Sequence, residues 1–355
     1  MTETHTMTQA VMVAPRQIEY QHNTIPALRP DRVRVRVRAC ALCTWEQRVF
    51  SGLDSYAFPF VGGHEFSGYV EEIGEEVGVP GLQVGDLVAV SALKRCGQCA
   101  SCRRGLDNLC DNNRSGRVPG RPWGPGGLGE YVVVPGYQLY KLGPDVTFYE
   151  AALVEPVACV TRSIKKARVR PGDQVVIVGA GIMGLLHLLF LKQQGARVIV
   201  SEIEEARCKK ALELGADEVI NPAQVNYVEK VLELTDGRGA DQTFMAIGVT
   251  KAIEDAVNAA AKGGLVMVYA SVYPKPGLIT IDADLFHHRE IVLTGTISQD
   301  HEDFLRSAEI ISKRIIDLRP LISRVYPLNQ LSEALEAAMS KETYRVLVDV
   351  TDGAR

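Results

Sequence analysis

Val175-Val176-Ile177-Val178-Gly179-Ala180-Gly181-Ile182-Met183-Gly184 is the stretch on which the fold turns. Four β-branched residues in a row read as a buried strand, and a helical pattern over residues 181–194 follows after one short turn. Gly179, Gly181 and Gly184 fit G-x-G-x-x-G in the setting that gives the pattern meaning, behind a strand and opening a helix. Gly179 permits the tight turn, Gly181 lets backbone approach a pyrophosphate, and Gly184 lets helix pack closely on strand. The unpaired N–H groups of the first helical turn, at Ile182 and Met183, then face the phosphates. The plainer alternative, a glycine-rich turn that binds nothing, leaves this strand–helix setting unexplained.

Toward the C-terminus, Val198-Ile199-Val200 reads as a second strand and residues 204–214 as a second helix. Glu202, just past that strand, suits the hydroxyls of an adenosine ribose and repels a 2′-phosphate, which favours NAD over NADP. Arg207 suits stacking on adenine or a phosphate contact. Apolar runs at 244–247, 265–269 and 291–293 continue the alternation, predicting a doubly wound parallel sheet and an α/β fold class. The tail carries helical patterns at 304–315 and 328–339 and a short strand at 345–350.

Toward the N-terminus the pattern changes. Val33, Val35 and Val37 alternate with Arg32, Arg34, Arg36 and Arg38, the period of a half-buried strand with a solvated arginine face. Neither aromatic interleaving nor a basic excess supports a nucleic-acid surface there. Glycines and prolines then separate short apolar runs at 87–90 and 131–134, and residues 117–129 read as a surface loop.

With 355 residues, the chain suggests two domains, and 46% hydrophobic with 23% charged residues provide for a sizeable core. The net charge of -4 gives no footprint for nucleic acid or an anionic membrane. The polar stretch 1–9 has no secretory pattern, and the apolar run 182–191 is too short for a bilayer and contains His187. The expectation is a cytoplasmic protein with no nucleic-acid or membrane partner.

Four of the eight cysteines, Cys96, Cys99, Cys102 and Cys110, fall within fifteen residues. In a reducing compartment such clustering points to metal. Four thiolates at this spacing close a tetrahedral shell around Zn²⁺ and leave no open position, a structural site. An iron–sulfur cluster or a disulfide pair are the alternatives; no second cluster set and no Cys-Pro accompany the run. Cys43, His64, Glu65 and Glu155 are donors that suit a catalytic zinc. Taken singly, each has an ordinary structural reading, and spacing alone does not connect them.

The connection comes from a resemblance. Gly62-Gly63-His64-Glu65-Phe66-Ser67-Gly68, Gly81-x3-Gly85-Asp86, the four-cysteine lobe, Gly126-Gly127-Leu128-Gly129-Glu130-Tyr131 and the glycine fingerprint occur in order over roughly residues 30–295. They resemble the zinc-containing medium-chain dehydrogenases, and Glu155-Pro156 looks like the polyol branch that includes sorbitol and threonine dehydrogenases. The resemblance implies a GroES-like β-rich catalytic domain over 1–156, with its zinc lobe at 96–110. It also implies a Rossmann NAD-binding domain over 157–295 and a segment, 296–355, that completes the first. Cys43 and His64 match catalytic zinc ligands, and Glu65 and Glu155 match carboxylates that ligate directly or through water. Cys96, Cys99, Cys102 and Cys110 match the structural zinc ligands, giving two zinc ions per chain. Cys40, Cys159 and Cys208 match no ligand and read as packing residues.

The chain departs from the family where a hydroxyl relay usually stands: Trp45 and Arg48 occupy those positions. The remaining candidates for moving the proton are Thr44, Glu46, Glu65, Glu155 and water. Trp45, Arg48, Phe50, Arg114, Arg117 and Trp123 are expected near the substrate, a mixture that suits a cyclitol, sugar alcohol or sugar acid. The resemblance thus implies hydride transfer between NAD and a secondary alcohol of a small polyol-like substrate. The rival readings are an aldehyde-forming or ketone-reducing dehydrogenase of another substrate class, and a non-catalytic NAD-sensing zinc protein. A homodimer or homotetramer is also implied, with the run 265–269 as candidate interface.

Overall fold

In the valine–arginine stretch the valines are buried and the arginines reach solvent, so the alternation becomes the strand Arg32–Ala41. The computed structural model describes residues 6–54, 56–113 and 122–351. The chain divides into two compact units, Met1–Ala158 with Gln299–Arg355, and Cys159–Ser298.

The first unit is β-rich. Its seven-stranded sheet runs Ile322–Pro327, Arg345–Asp349, Arg32–Ala41, Glu65–Ile73, Leu87–Ser91, Leu139–Lys141, and Tyr131–Pro135 also pairs with Arg32–Ala41. The hairpin Thr6–Ala14 with Gln17–Thr24 stands beside it. Val35, Phe60, Phe66, Val90, Leu331 and Val348 belong to its core. Register carries the consequence for function: Ala41 pairs with Glu65 on one side and Leu347 on the other. A strand near the C-terminus is thereby laid beside one that starts at Glu65. The tail helix spans His301–Ser312, starting three residues before the sequence pattern does, because Asp300 and Asp303 form a reciprocal capping box.

One sequence expectation fails here. Residues 117–121 lie outside the described residues, 122–126 are partly or fully exposed as expected, but 127–129 are buried. Leu128 is fully buried, its N–H donates to the Gly62 carbonyl, and its own carbonyl accepts from Ala10. Buried backbone needs such partners, and the 62–63 turn supplies them.

The second unit is a six-stranded parallel sheet, in order Glu218–Ile220, Arg197–Ser201, Gln174–Val178, Ala240–Met245, Ala260–Val268, Val292–Gly295. The chain starts at the centre, moves outward one way, then returns to Ala240–Met245 and moves out the other way. Gly179 therefore lies at the switch point, the usual ligand crevice of open α/β sheets. Residues 265–268 of the run 265–269 belong to Ala260–Val268, which is hydrogen-bonded on both sides; the edge strand on that side of the sheet is Val292–Gly295. Among the described residues no helix is long and apolar enough to cross a membrane.

Candidate active site and metal centres

Cys43 is the N-cap of the helix Thr44–Ser51, and its thiol makes no capping hydrogen bond, which leaves the sulfur available. His64 precedes the strand that begins at Glu65. Between them Gly63 has φ +87°, and a Cβ there would stand 2.7 Å from Cys40 Sγ and 2.8 Å from the Leu128 nitrogen. Only glycine lets the chain turn in that space. The result is that ligand atoms of Cys43, His64 and Glu65 lie within 4.8 Å of one another.

Each of the three is oriented by a neighbour. Glu46 Oε1 accepts from His64 Nδ1 at 2.7 Å and from the Gly63 N–H at 3.0 Å. With Nδ1 donating, the lone pair of Nε2 is left for a metal. Arg345 donates to the Leu42 carbonyl at 2.8 Å and reaches Glu65 Oε1 at 3.3 Å. The other oxygen, Glu65 Oε2, is buried with no hydrogen-bond partner.

The electrostatics describe a desolvated, acid-crowded cluster. Burial and the charge of Glu65 push the Cys43 thiol up. Glu65 is pushed up to about 7 by burial, opposed by Arg345 and reinforced by Glu155. Burial works against the charged form of His64, but Glu46 and Cys43 outweigh it and hold its pKa well above the ordinary range. Three donors of this kind, one with an orphaned buried oxygen, fit a divalent cation, which would displace these protons. Three protein ligands also leave a fourth position open. Glu155, half-buried in the first turn of Val154–Ala167, stands outside the trio but within electrostatic reach of Glu65. Thr44 is exposed.

The second cluster is Cys96, Cys99, Cys102 and Cys110, whose sulfurs also lie within 4.8 Å of one another. Cys96 and Cys102 sulfurs are 4.0 Å apart, beyond a disulfide and close to the about 3.8 Å expected across a tetrahedral Zn–S₄ site. Backbone N–H groups of Gln98 and Cys99 point at Cys96 Sγ (3.4 and 3.3 Å), and that of Cys102 points at Cys99 Sγ (3.4 Å). Asn112, then these amides, pull Cys96 down to about 6. Desolvation, then the neighbouring sulfurs, push Cys102 up to about 12. Such a set carries its full thiolate charge only around a cation, and it fits zinc. Buried Arg95 ties the lobe down, donating to Asp107 at 3.0 Å, Ser91 at 3.0 Å and the Gln299 carbonyl at 2.9 Å.

In the second unit the glycine fingerprint forms the predicted turn. A Cβ on Gly184 would meet the Gly179 carbonyl at 1.8 Å, so helix and turn pack as closely as the motif demands. The helix Ile182–Gln193 opens at Gly181 with the first-turn amides of Ile182 and Met183. Glu202 Oε2 accepts from the Ala180 N–H at 2.8 Å, and Oε1 accepts from Ile203 and Glu204 at 2.8 and 3.1 Å. The acidic residue thus braces the glycine turn. Three of a carboxylate's four acceptor positions are used, leaving one for a sugar hydroxyl. Arg207 reaches the same turn, its Nη1 being 3.9 Å from where a Gly181 Cβ would be.

Other expected site residues separate. Phe50 is buried in the core and lines nothing, because it lies on the inward face of its helix. Arg48 pairs with Asp54 at 3.1 Å. Arg114 and Arg117 lie outside the described residues. Cys40 and Cys208 are buried, and Cys208 donates to the Glu202 carbonyl. Sequence reasoning gave Glu46 only a possible proton role and missed Arg345 and Arg95. For Glu46 the available signal was its place in the first turn after Cys43; for Arg345 no local signal exists.

Residues 29–144 match the alcohol dehydrogenase GroES-like domain, and residues 182–313 match the zinc-binding dehydrogenase domain. A sorbitol dehydrogenase of Halalkalibacterium halodurans is 31% identical over 337 residues, covering 94% of this chain and 95% of that protein. A 2-dehydro-3-deoxy-L-galactonate 5-dehydrogenase of Pseudoalteromonas atlantica is 33% identical over 304 residues, 85% and 86% of the two chains. The crystal structure of a zinc-binding dehydrogenase of Sinorhizobium meliloti bound to NADP superposes with a TM-score of 0.89 at 26% identity, over 98% of this chain and 100% of that one.

Proposed function

Because this chain belongs to the zinc-binding medium-chain dehydrogenase family, with GroES-like and Rossmann-like parts, we propose that it oxidises a secondary alcohol of a polyol, cyclitol or sugar-like substrate with NAD. It is an NAD(P)-dependent zinc oxidoreductase acting on CH–OH groups. The observation that carries the reading is the Cys43–His64–Glu65 trio with an open fourth position. The narrowing to polyhydroxylated substrates rests on the relatives, whose names include a sorbitol and a sugar-acid dehydrogenase.

Cys43, His64 and Glu65 would hold the catalytic zinc, with Glu155 acting directly or through water, and the four lobe cysteines a second, structural zinc. When bound, zinc supplies Lewis acidity toward the alcohol oxygen and the dinucleotide supplies the hydride acceptor. The chain's own residues set the geometry. Glu46 fixes the tautomer and ring plane of His64, and Arg345 offsets the charge of Glu65 and holds it at the head of its strand. Glu202 braces the phosphate turn and offers its remaining acceptor to the ribose, which favours NAD over NADP. Initial rates with NAD and NADP across polyols, cyclitols and primary alcohols test the reading. Preference for NAD and for polyhydroxylated secondary alcohols is expected; a best rate on simple primary alcohols would replace it with the aldehyde-forming alternative.

A homo-oligomer belongs to the same proposal. Among the described residues the strand Val292–Gly295 has no partner on its outer side, Val292 is exposed, and such an edge invites pairing with a second copy. Light scattering across a dilution series reads this: a mass of twice or four times 38.8 kDa is expected, and a constant monomer mass contradicts it.

A further inference from the structure

Trp45 stands two residues after Cys43, in the first turn of its helix, and its ring meets His64 edge-on with centroids 5.3 Å apart at 69°. Two more rings fix it: Tyr56 at 5.3 Å and 76°, and Phe60 at 5.3 Å and 83°. Behind these, Trp123 stacks on Tyr56 at 5.3 Å and 12°, and its indole N–H donates to the Ala57 carbonyl. Phe60 is fully buried and Trp45 half-buried, so the indole of Trp45 is packed on one side and open on the other. Edge-to-face contacts of this kind favour one ring orientation.

Several directions around the candidate trio are taken. Glu46 and the Gly63 N–H occupy the Nδ1 side of His64, Arg345 stands at Glu65, and Cys40 packs against Gly63. Cys43, His64 and Trp45 are each partly exposed, so the indole borders solvent beside two of the trio's donors. Unlike Trp123, Trp45 has no hydrogen-bond partner for its N–H among the described residues. It is not among the buried, unpartnered polar groups, so this N–H is open to solvent and free to donate to a bound molecule.

We propose that Trp45 determines substrate specificity: its ring supports the carbon chain of the substrate, and its N–H donates to a hydroxyl oxygen on the carbon next to the one oxidised. The site thereby selects a vicinal diol unit. This inference rests on the polyol reading above and narrows it.

Butane-2,3-diol and butan-2-ol differ by that single hydroxyl, and Trp45→Phe keeps a ring while removing the donor. Steady-state constants for both alcohols, with D-sorbitol as a third substrate, are measured for the wild-type zinc enzyme and for W45F with NAD. Loss of one hydrogen bond should raise KM for the diol and for sorbitol about five- to tenfold and change kcat less than about twofold, while butan-2-ol, which loses only part of the ring contact, should shift about twofold, so that the diol-over-butan-2-ol preference falls. A second readout needs no turnover. The chain has two tryptophans, so in Trp123→Phe all indole emission comes from Trp45. Saturating butane-2,3-diol in the presence of NADH should alter that emission, and butan-2-ol should alter it less.

A wild type that prefers diol and sorbitol, combined with a W45F enzyme that does not, supports the assignment. If W45F keeps the wild-type preference, or Trp45 emission ignores the diol, the assignment falls while the polyol reading stands. Should the wild type itself show no preference over butan-2-ol, the polyol reading falls and takes this inference with it. Should W45F fail to fold, the emission of Trp123→Phe decides alone.

Discussion

The two candidate metal-binding clusters of the first unit are built in opposite ways. The lobe takes all four donors from residues 96–110, a local run whose own backbone amides point at its sulfurs. The Cys43–His64–Glu65 trio draws its donors from a helix start, a loop and a strand start, and its supports from as far away as Arg345. The lobe presents four like donors and has no position left. The trio presents a thiol, an imidazole and a carboxyl group, partly buried, and around a four-coordinate cation these three would leave a position open. A contiguous, saturated cluster staples a loop, whereas an assembled, unsaturated one depends on the whole sheet for its geometry and can meet a substrate. Damage to the first should therefore appear in stability and damage to the second in chemistry.

Cys43→Ala should have the largest effect, abolishing turnover within detection while the chain keeps its fold, binds dinucleotide and retains one zinc instead of two. Metal analysis, circular dichroism and NADH titration check this, and retained activity would sink the catalytic role of the trio. Glu46→Ala comes next. It leaves the His64 Nδ1–H and the Gly63 N–H without their acceptor, and turnover or zinc affinity at the trio should fall about 10–100-fold. An unchanged kcat/KM would mean that His64 needs no such orientation. Cys110→Ser should reverse the pattern: one zinc lost, a melting temperature lower by about 5–10 °C, and turnover per folded molecule within about threefold of wild type. A Cys110→Ser protein that folds normally but loses all turnover would erase the distinction between the two clusters.

The same contrast explains what could be read in advance. The α/β character and the glycine turn were legible because strand, turn and helix are adjacent in sequence, and the turn's requirements fall on single residues such as Gly184. The four-cysteine spacing was legible for the same reason. The trio was assembled on paper only through a family resemblance, since residues 43 and 64–65 meet through strand pairing that no local pattern encodes. Arg345 is the extreme case: its contact with Glu65 depends on Leu347 pairing with Ala41 and Ala41 with Glu65. Residues 127–129 misled because glycine and proline mark loops without saying whether a loop is covered, and here the 62–63 turn covers its end. Phe50 misled because proximity in sequence to Trp45 says nothing of helix face.

The most direct test of the central claim, that the trio is the catalytic metal centre and the lobe a staple, is a staged chelation of the purified enzyme. Zinc per chain, NAD reduction on a polyol and melting temperature are followed in the same samples. The open, three-donor site should release its metal first, so turnover should fall in proportion to the first zinc lost while the melting temperature stays within about 2 °C. The melting temperature should drop only with the second. Turnover that survives the first zinc and disappears with the second, or a fully active enzyme holding a single zinc, would contradict the account.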